Sequence, residues 1–234
     1  MLDNKGIRAI AALLLKKINY RGDFIIQELT LGRNNKVVKL KTPKKNFILK
    51  IFYENLIDER DRYSAETRFY DYIGTNHIDH SSLCLARSQS NRAILLDFIE
   101  GEHLTSSEIT EAAFAQMMDF ICALNDEKKS RSSLPMASES CFSDYDHIYL
   151  VDCRIKKLSA KVQDRTAAKF ISDLLIPSWH HIREEARKTS KKWKIPLTVD
   201  ERCISPSDFG FHNCVRRPNG TLAFYDFEYA GWDD

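Results

Sequence analysis

"SPSDFGFHNCVRRPNGTLAFYDFEYAGWDD", Ser205 to Asp234, decides how this chain is read. Asn219-Gly220 lies between two short apolar runs and is a strong hairpin signal, because both central positions of a type I′ turn need positive φ. A two-residue loop there predicts a register with Asn213 directly opposite Asp226. Directly opposed side chains leave the ladder on one face, with Cβ atoms about 4.5–5.5 Å apart. An amide oxygen and a carboxylate at that separation make a hard-oxygen pair suited to Mg²⁺, which takes one or two protein ligands beside phosphate oxygens and water. The same two residues equally fit an ordinary Asn–Asp hydrogen bond at a hairpin mouth.

Asp208 adds a third group. It stands five residues before Asn213, the D-x-x-x-x-N spacing of kinase catalytic loops. There the first Asp accepts the proton of a substrate hydroxyl, while the Asn and a later Asp hold metal against nucleotide phosphates. Asp208 is the candidate base, and Asn213 and Asp226 are the candidate metal ligands.

The first hundred residues read as a small sheet with helices. "DFIIQELTLG", "KVVKLKT" and "NFILKIFY" are rich in β-branched and apolar residues and are separated by turn-forming stretches, which predicts three antiparallel strands. Asp58 to Ile73 reads as a helix, and "RAILLDFI" as a further strand ending at Glu100-Gly101. In the third strand, alternation puts Ile48, Lys50 and Phe52 on one face, so an ammonium projects from an apolar surface. On the next helix, Glu66 falls within the stripe of Tyr63, Tyr70 and Ile73. Each of these two charges needs a partner, and each supplies one for the other. A snorkelling Lys50 and a border Glu66 are the bland alternatives.

From Thr105 the texture turns helical. Thr105-x-x-Glu108 is a capping-box pattern, and apolar residues from Ala112 to Leu124 recur at helical spacing. Further helices are expected near Tyr145 to Lys161 and Thr166 to Lys188, the latter kinked or broken by Pro177.

"SDFGFHN" followed by "YDFEYAGWDD" resembles the aminoglycoside phosphotransferase and choline kinase group of protein-kinase-like enzymes. The usual pattern there is H-G-D-x-x-x-x-N, then I-D-[FW]-E with a Gly-Trp-x-Asp continuation. Pro206 and Ser207 stand where that pattern has His and Gly, which bears on the bracing of the loop. The resemblance implies an α+β, two-lobed fold: an N-terminal nucleotide-binding lobe over 1–99, with antiparallel sheet and helices, and a mainly helical C-terminal lobe over 100–234 carrying the catalytic hairpin. It also implies a Lys50–Glu66 ion pair with Lys50 reaching the α- and β-phosphates. Gly32 and Asn34 would lie in the turn over the phosphates, although those residues alone equally suit a plain hairpin turn. The Asp97 carbonyl and Ile99 amide of the inter-lobe linker would hold adenine. Glu228 matches the Glu of the pattern, and its bland reading is a structural anchor for the segment after Asp226.

The implied activity is an ATP- and Mg-dependent transfer of the γ-phosphoryl group to a hydroxyl of a small molecule: an aminoglycoside, an amino alcohol or a sugar-like acceptor. A non-catalytic nucleotide-binding or scaffolding relative is the alternative, with a protein kinase behind it, since Asp226-Phe227 is not followed by Gly. In the group, helices follow the Gly-Trp-x-Asp segment; this sequence ends at Asp233-Asp234, so a truncated C-terminal lobe is expected.

Composition narrows the classes. Lys plus Arg (35) nearly cancels Asp plus Glu (33), so no global basic field points to nucleic acid. The Lys191-Lys192-Trp193-Lys194 cluster reads as a solvated turn, and His180-His181 lacks a partner at metal-ligand spacing. Six cysteines without a C-x-x-C pair argue against a zinc site or disulfide scaffold and fit a reduced, cytoplasmic setting. The apolar stretch from Ala9 to Leu15 continues into Lys16-Lys17 as an amphipathic helix, and no stretch is long enough to span a membrane.

Overall fold

The computed structural model describes residues 3–29, 35–54, 60–126 and 134–234. These gather into two compact units, Met1–Ser138 with Ile204–Trp232, and Glu139–Cys203 with Asp233–Asp234.

The first unit opens with α1 (Asn4–Lys17). Asp3 caps it by accepting from the Gly6 amide at 2.8 Å, and Lys16 and Lys17 meet the negative end of its dipole. A five-stranded antiparallel sheet follows, built from β1 (Ile25–Glu28), β2 (Asn35–Lys41), β3 (Asn46–Phe52), β4 (Cys84–Ser88) and β5 (Ala93–Asp97). Its spatial order is β1-β2-β3-β5-β4. Strand alternation separates two cores. Val38, Leu40, Leu49 and Leu95 pack with Ile7, Ala11 and Leu14 of α1. The opposite face carries Phe52, Ile94 and Leu96 toward α2 (Arg62–Thr75), whose Phe69, Tyr70 and Ile73 join the same cluster. Asp61 caps α2. The edge strand β4 escaped the sequence reading, because its Cys-Leu-Ala-Arg-Ser stretch has neither β-branched residues nor a clean period of two.

The larger core cluster continues into α3 (Glu111–Leu124), where Phe120 packs against Phe209, Phe224 and Phe227. The Thr105–Glu108 capping box is present, but it closes a 3₁₀ turn at Ser106–Glu108; α3 starts later, capped by Thr110. The segment around the opening motif holds β6 (Cys203–Ser205), β7 (Cys214–Arg216), β8 (Leu222–Phe224) and β9 (Gly231–Asp233).

The β7–β8 hairpin corrects the expected register. Cys214 pairs with Phe224, Val215 with Ala223 and Arg216 with Leu222, one residue away from the two-residue-loop reading. The loop has three residues, 218–220. It is closed by the Arg217 amide donating to the Thr221 carbonyl (2.8 Å) and the Gly220 amide donating to the Arg217 carbonyl (2.9 Å), with Gly220 at φ +85°. This is a type I turn followed by a left-handed glycine. Pro218 is the physical reason: its fixed φ suits the first corner of a type I turn, whereas a two-residue loop would seat it in the ladder without an N–H to donate. A slip of one flips facings, so Asn213 lies opposite Tyr225, whose amide donates to its carbonyl at 3.1 Å, and not opposite Asp226.

In the second unit, α4 (Asp144–Lys161) is capped by Ser143, and the Trp179 indole donates to Asp152 at 2.7 Å. The expected break at Pro177 takes the form of a π-turn, Ile171–Leu175, between α5 (Arg165–Phe170) and α6 (Ile176–Thr189). A wider turn relieves the clash and missing N–H that proline brings to an α-helix. Among the described residues, no helix is long and apolar enough to cross a membrane, and the six cysteines are free thiols.

Candidate active site

The first unit holds a cleft of about 310 Å³ between the sheet, the linker after β5 and the β7–β8 hairpin. Val37, Ile48, Leu96 and Val215 are among its apolar lining, and Asp97, Phe98, Ile99 and Gly101 run along the linker side. Lys50, Glu66 and Asp226 gather at one end of the cleft.

Lys50 projects from β3 on the face the alternation indicates, and its Nζ lies 2.6 Å from Glu66 Oε2 and 2.6 Å from Asp226 Oδ1. Glu228 Oε2 is 3.5 Å away. The Lys50 and Glu66 side chains are almost wholly buried, while that of Asp226 remains 41% exposed and so open to a ligand. Burial by itself would lower the Lys50 pKa, but the carboxylates of Glu66, Asp226 and Glu228 outweigh it and hold the ammonium above its usual value. Burial pushes the Glu66 carboxyl up to about 7, against the pull of Lys50.

The same Glu228 Oε2 accepts from the Asn35 amide, and on its other side Arg62 Nε lies 3.8 Å from Oε1. The expected anchor is thus a buried carboxylate joining β2, α2 and the segment after Asp226. Nothing in the spacing of Asn35, Arg62 and Glu228 announces this contact, because it exists only once three distant segments are packed together.

The Asp226 backbone takes φ +70°, a left-handed turn that swings it out of β8 toward Lys50. Asp208 sits on an exposed loop, with His212 Nε2 3.3 Å from its Oδ1. The Asn213 amide donates to the Asp208 carbonyl at 3.0 Å, which ties the two ends of the D-x-x-x-x-N loop. Ser207, at the position of the pattern's Gly, keeps φ +66° although it is not glycine, and Pro206 is buried. The backbone ahead of Asp208 is held by the Ser207 amide donating to Ser205 Oγ at 3.0 Å.

The structure therefore brings Lys50, Glu66 and Asp226 into contact, places Asp97 and Ile99 in the same cleft, and joins Asp208 to Asn213. Gly32 and Asn34 lie outside the described residues. The cleft also uses Ser82, His103, Val215 and Tyr225, which carry no sequence signal of their own.

The donor set suits a hard divalent cation. Glu66, Asp226 and Glu228 each offer a carboxylate oxygen within 4.8 Å of the others, and Glu66 Oε1 is buried without a hydrogen-bond partner. Carboxylate oxygens at this spacing are the kind of ligand a hard divalent cation takes.

No protein-family model and no curated protein sequence matches this chain. Solved structures do. A choline kinase from Cryptosporidium parvum superposes with a TM-score of 0.66 at 13% identity, covering 99% of this chain and 66% of that one. An ethanolamine kinase from Plasmodium vivax gives 0.63 at 14% identity, covering 100% and 65%. A spectinomycin phosphotransferase crystallised with ADP and spectinomycin gives 0.64 at 13% identity, covering 99% and 70%. The chain spans about two thirds of the length of the first two. Its fold is that of the aminoglycoside phosphotransferase and choline kinase group, an α+β protein-kinase-like architecture with an N-terminal antiparallel sheet.

Proposed function

We propose that this chain is an ATP- and Mg-dependent phosphotransferase acting on a hydroxyl of a small molecule, with a nucleotide-binding lobe over 1–99 and a catalytic lobe over 100–234. The observation that carries the reading is the buried Lys50–Glu66 pair sharing its ammonium with Asp226 at the charged end of an otherwise apolar cleft. Lys50 reaches the α- and β-phosphates, and Glu66 holds it there. The Asp97 carbonyl and Ile99 amide take the base. Asn213 and Asp226 hold Mg²⁺, which when bound neutralises the charge of the phosphate oxygens. Asp208 orients the acceptor hydroxyl and takes its proton.

The fold likeness to choline, ethanolamine and spectinomycin kinases supports this reaction class, and the acceptor class stays at aminoglycosides, amino alcohols or sugar-like compounds. The test joins thermal stabilisation by ATP with Mg²⁺ to phosphoryl transfer across a panel of such hydroxyl compounds. Asp208→Asn is expected to keep nucleotide stabilisation and to lose at least about 100-fold in turnover. Undiminished turnover removes Asp208 from the mechanism, and absence of nucleotide binding removes the whole reading. Pro206 in place of the pattern's histidine favours one second reading, a non-catalytic nucleotide-binding module. Stabilisation without transfer to any acceptor would support it, and transfer to polypeptide would support a protein kinase.

A further inference from the structure

We infer that Ser82 reads the C6 substituent of the purine and makes this cleft selective for a 6-amino base over 6-oxopurines. This rests on the nucleotide site proposed above.

Ser82 is only 4% exposed and lines the cleft together with Asp97, Phe98 and Ile99. Its Oγ donates to the Asp97 carbonyl at 2.7 Å, and the Asp97 amide donates to the Leu83 carbonyl at 2.9 Å. The segment before β4 is thus zipped along the end of β5, and the hydroxyl is fixed in place. A serine hydroxyl has one proton and two lone pairs. With the proton committed to Asp97, what remains at this edge is acceptor on acceptor: the second lone pair of the Asp97 carbonyl and the lone pairs of Ser82.

A 6-amino group brings two N–H donors to that edge. A 6-oxo group brings only lone pairs, so it meets like against like. For Ser82 to turn and donate to it, the Asp97 carbonyl would lose its buried donor, and a buried polar group left unpaired is costly. Discrimination of this kind is steep, because the wrong base leaves the polar groups of the site unmatched.

Three triphosphates separate the contributions: ATP, inosine triphosphate, and purine riboside triphosphate, which carries only hydrogen at C6. Affinities are measured with Mg²⁺ on the full chain. The wild type is expected to bind ATP at least about tenfold tighter than inosine triphosphate, with purine riboside triphosphate between them. Ser82→Ala is expected to lower the ATP-to-inosine ratio about tenfold while leaving purine riboside triphosphate within about twofold. Equal binding of ATP and inosine triphosphate by the wild type overturns the inference and leaves the nucleotide site standing, as does an unchanged ratio in Ser82→Ala. Should that variant not fold, Ser82→Cys, which keeps the size of the side chain and weakens its hydrogen bonding, takes its place with the same fall in ratio expected, and an unchanged ratio there overturns the inference. Failure of all three to bind the wild type overturns the nucleotide site and the inference with it.

Discussion

Lys50 and Asp226, 176 residues apart in the chain, meet at 2.6 Å. The contact joins the central strand of the sheet to the turn that leaves the β7–β8 hairpin. It requires the left-handed backbone at Asp226 and a lysine that has nowhere else to place its charge. Glu66 completes the arrangement, so one ammonium serves two carboxylates directly and a third at longer range.

Removing that ammonium should be costly. Lys50→Met keeps the apolar stem but leaves Glu66 buried without its counter-ion, and a loss of about 3 kcal/mol is expected. Urea unfolding at neutral pH measures it. Lys50→Met combined with Glu66→Gln should recover part of the loss, since the uncompensated charge is then gone.

The same pair sets a pH dependence. The folded-state pKa of Glu66 is raised from 4.5 to about 7, so between those values the folded protein keeps a proton that the unfolded chain releases. Stability from this group is therefore highest below the lower value and falls as pH rises through the window. Lys50, raised above 10.5, contributes stability that is constant across that range and is lost only at more alkaline pH. Melting temperatures from pH 5 to pH 7.5 should fall more steeply in the wild type than in Glu66→Gln. Parallel curves would show that Glu66 does not titrate there.

Gly101 fastens the linker to the hairpin. Glu102 and Arg216 exchange backbone hydrogen bonds of 3.0 and 2.8 Å, and a Cβ on Gly101 would fall 2.3 Å from the Arg216 carbonyl oxygen. Its φ of +157° adds to the restriction. Gly101→Ala is expected to destabilise by about 2 kcal/mol and to weaken nucleotide binding, because the linker side of the cleft shifts. Calorimetry with and without ATP reads both effects.

Ser207 predicts the opposite sign. A non-glycine residue at φ +66° carries about 1 kcal/mol of backbone strain. Ser207→Gly should raise stability by up to that amount and keep the Asp208 loop in place, which a thermal melt and the acceptor-panel assay together check.

Much of the architecture was legible because it follows from local periodicity. Alternation in "NFILKIFY" put Lys50 on the face that receives α2, and the 3.6-residue stripe put Glu66 on the side that receives Lys50. β4 was not legible, since an edge strand packed mainly through backbone bonds needs no strong alternation. The hairpin register was misread by giving Asn219-Gly220 priority over Pro218, although the missing N–H of that proline was visible in the sequence. The buried contacts of Glu228 with Asn35 and Arg62, and of Ser82 with Asp97, had no sequence signature at all.

By itself, the sequence determined the element types, the face on which each charge emerges, and the D-x-x-x-x-N loop, because those depend on backbone period and near-neighbour spacing. Tertiary structure alone decided which charges share a partner, how far the hairpin is slipped, and which hydroxyl meets the linker carbonyl. Those depend on desolvation: a buried charge or polar group must find its complement among whatever segments the fold brings within about 3 Å, however remote in the chain.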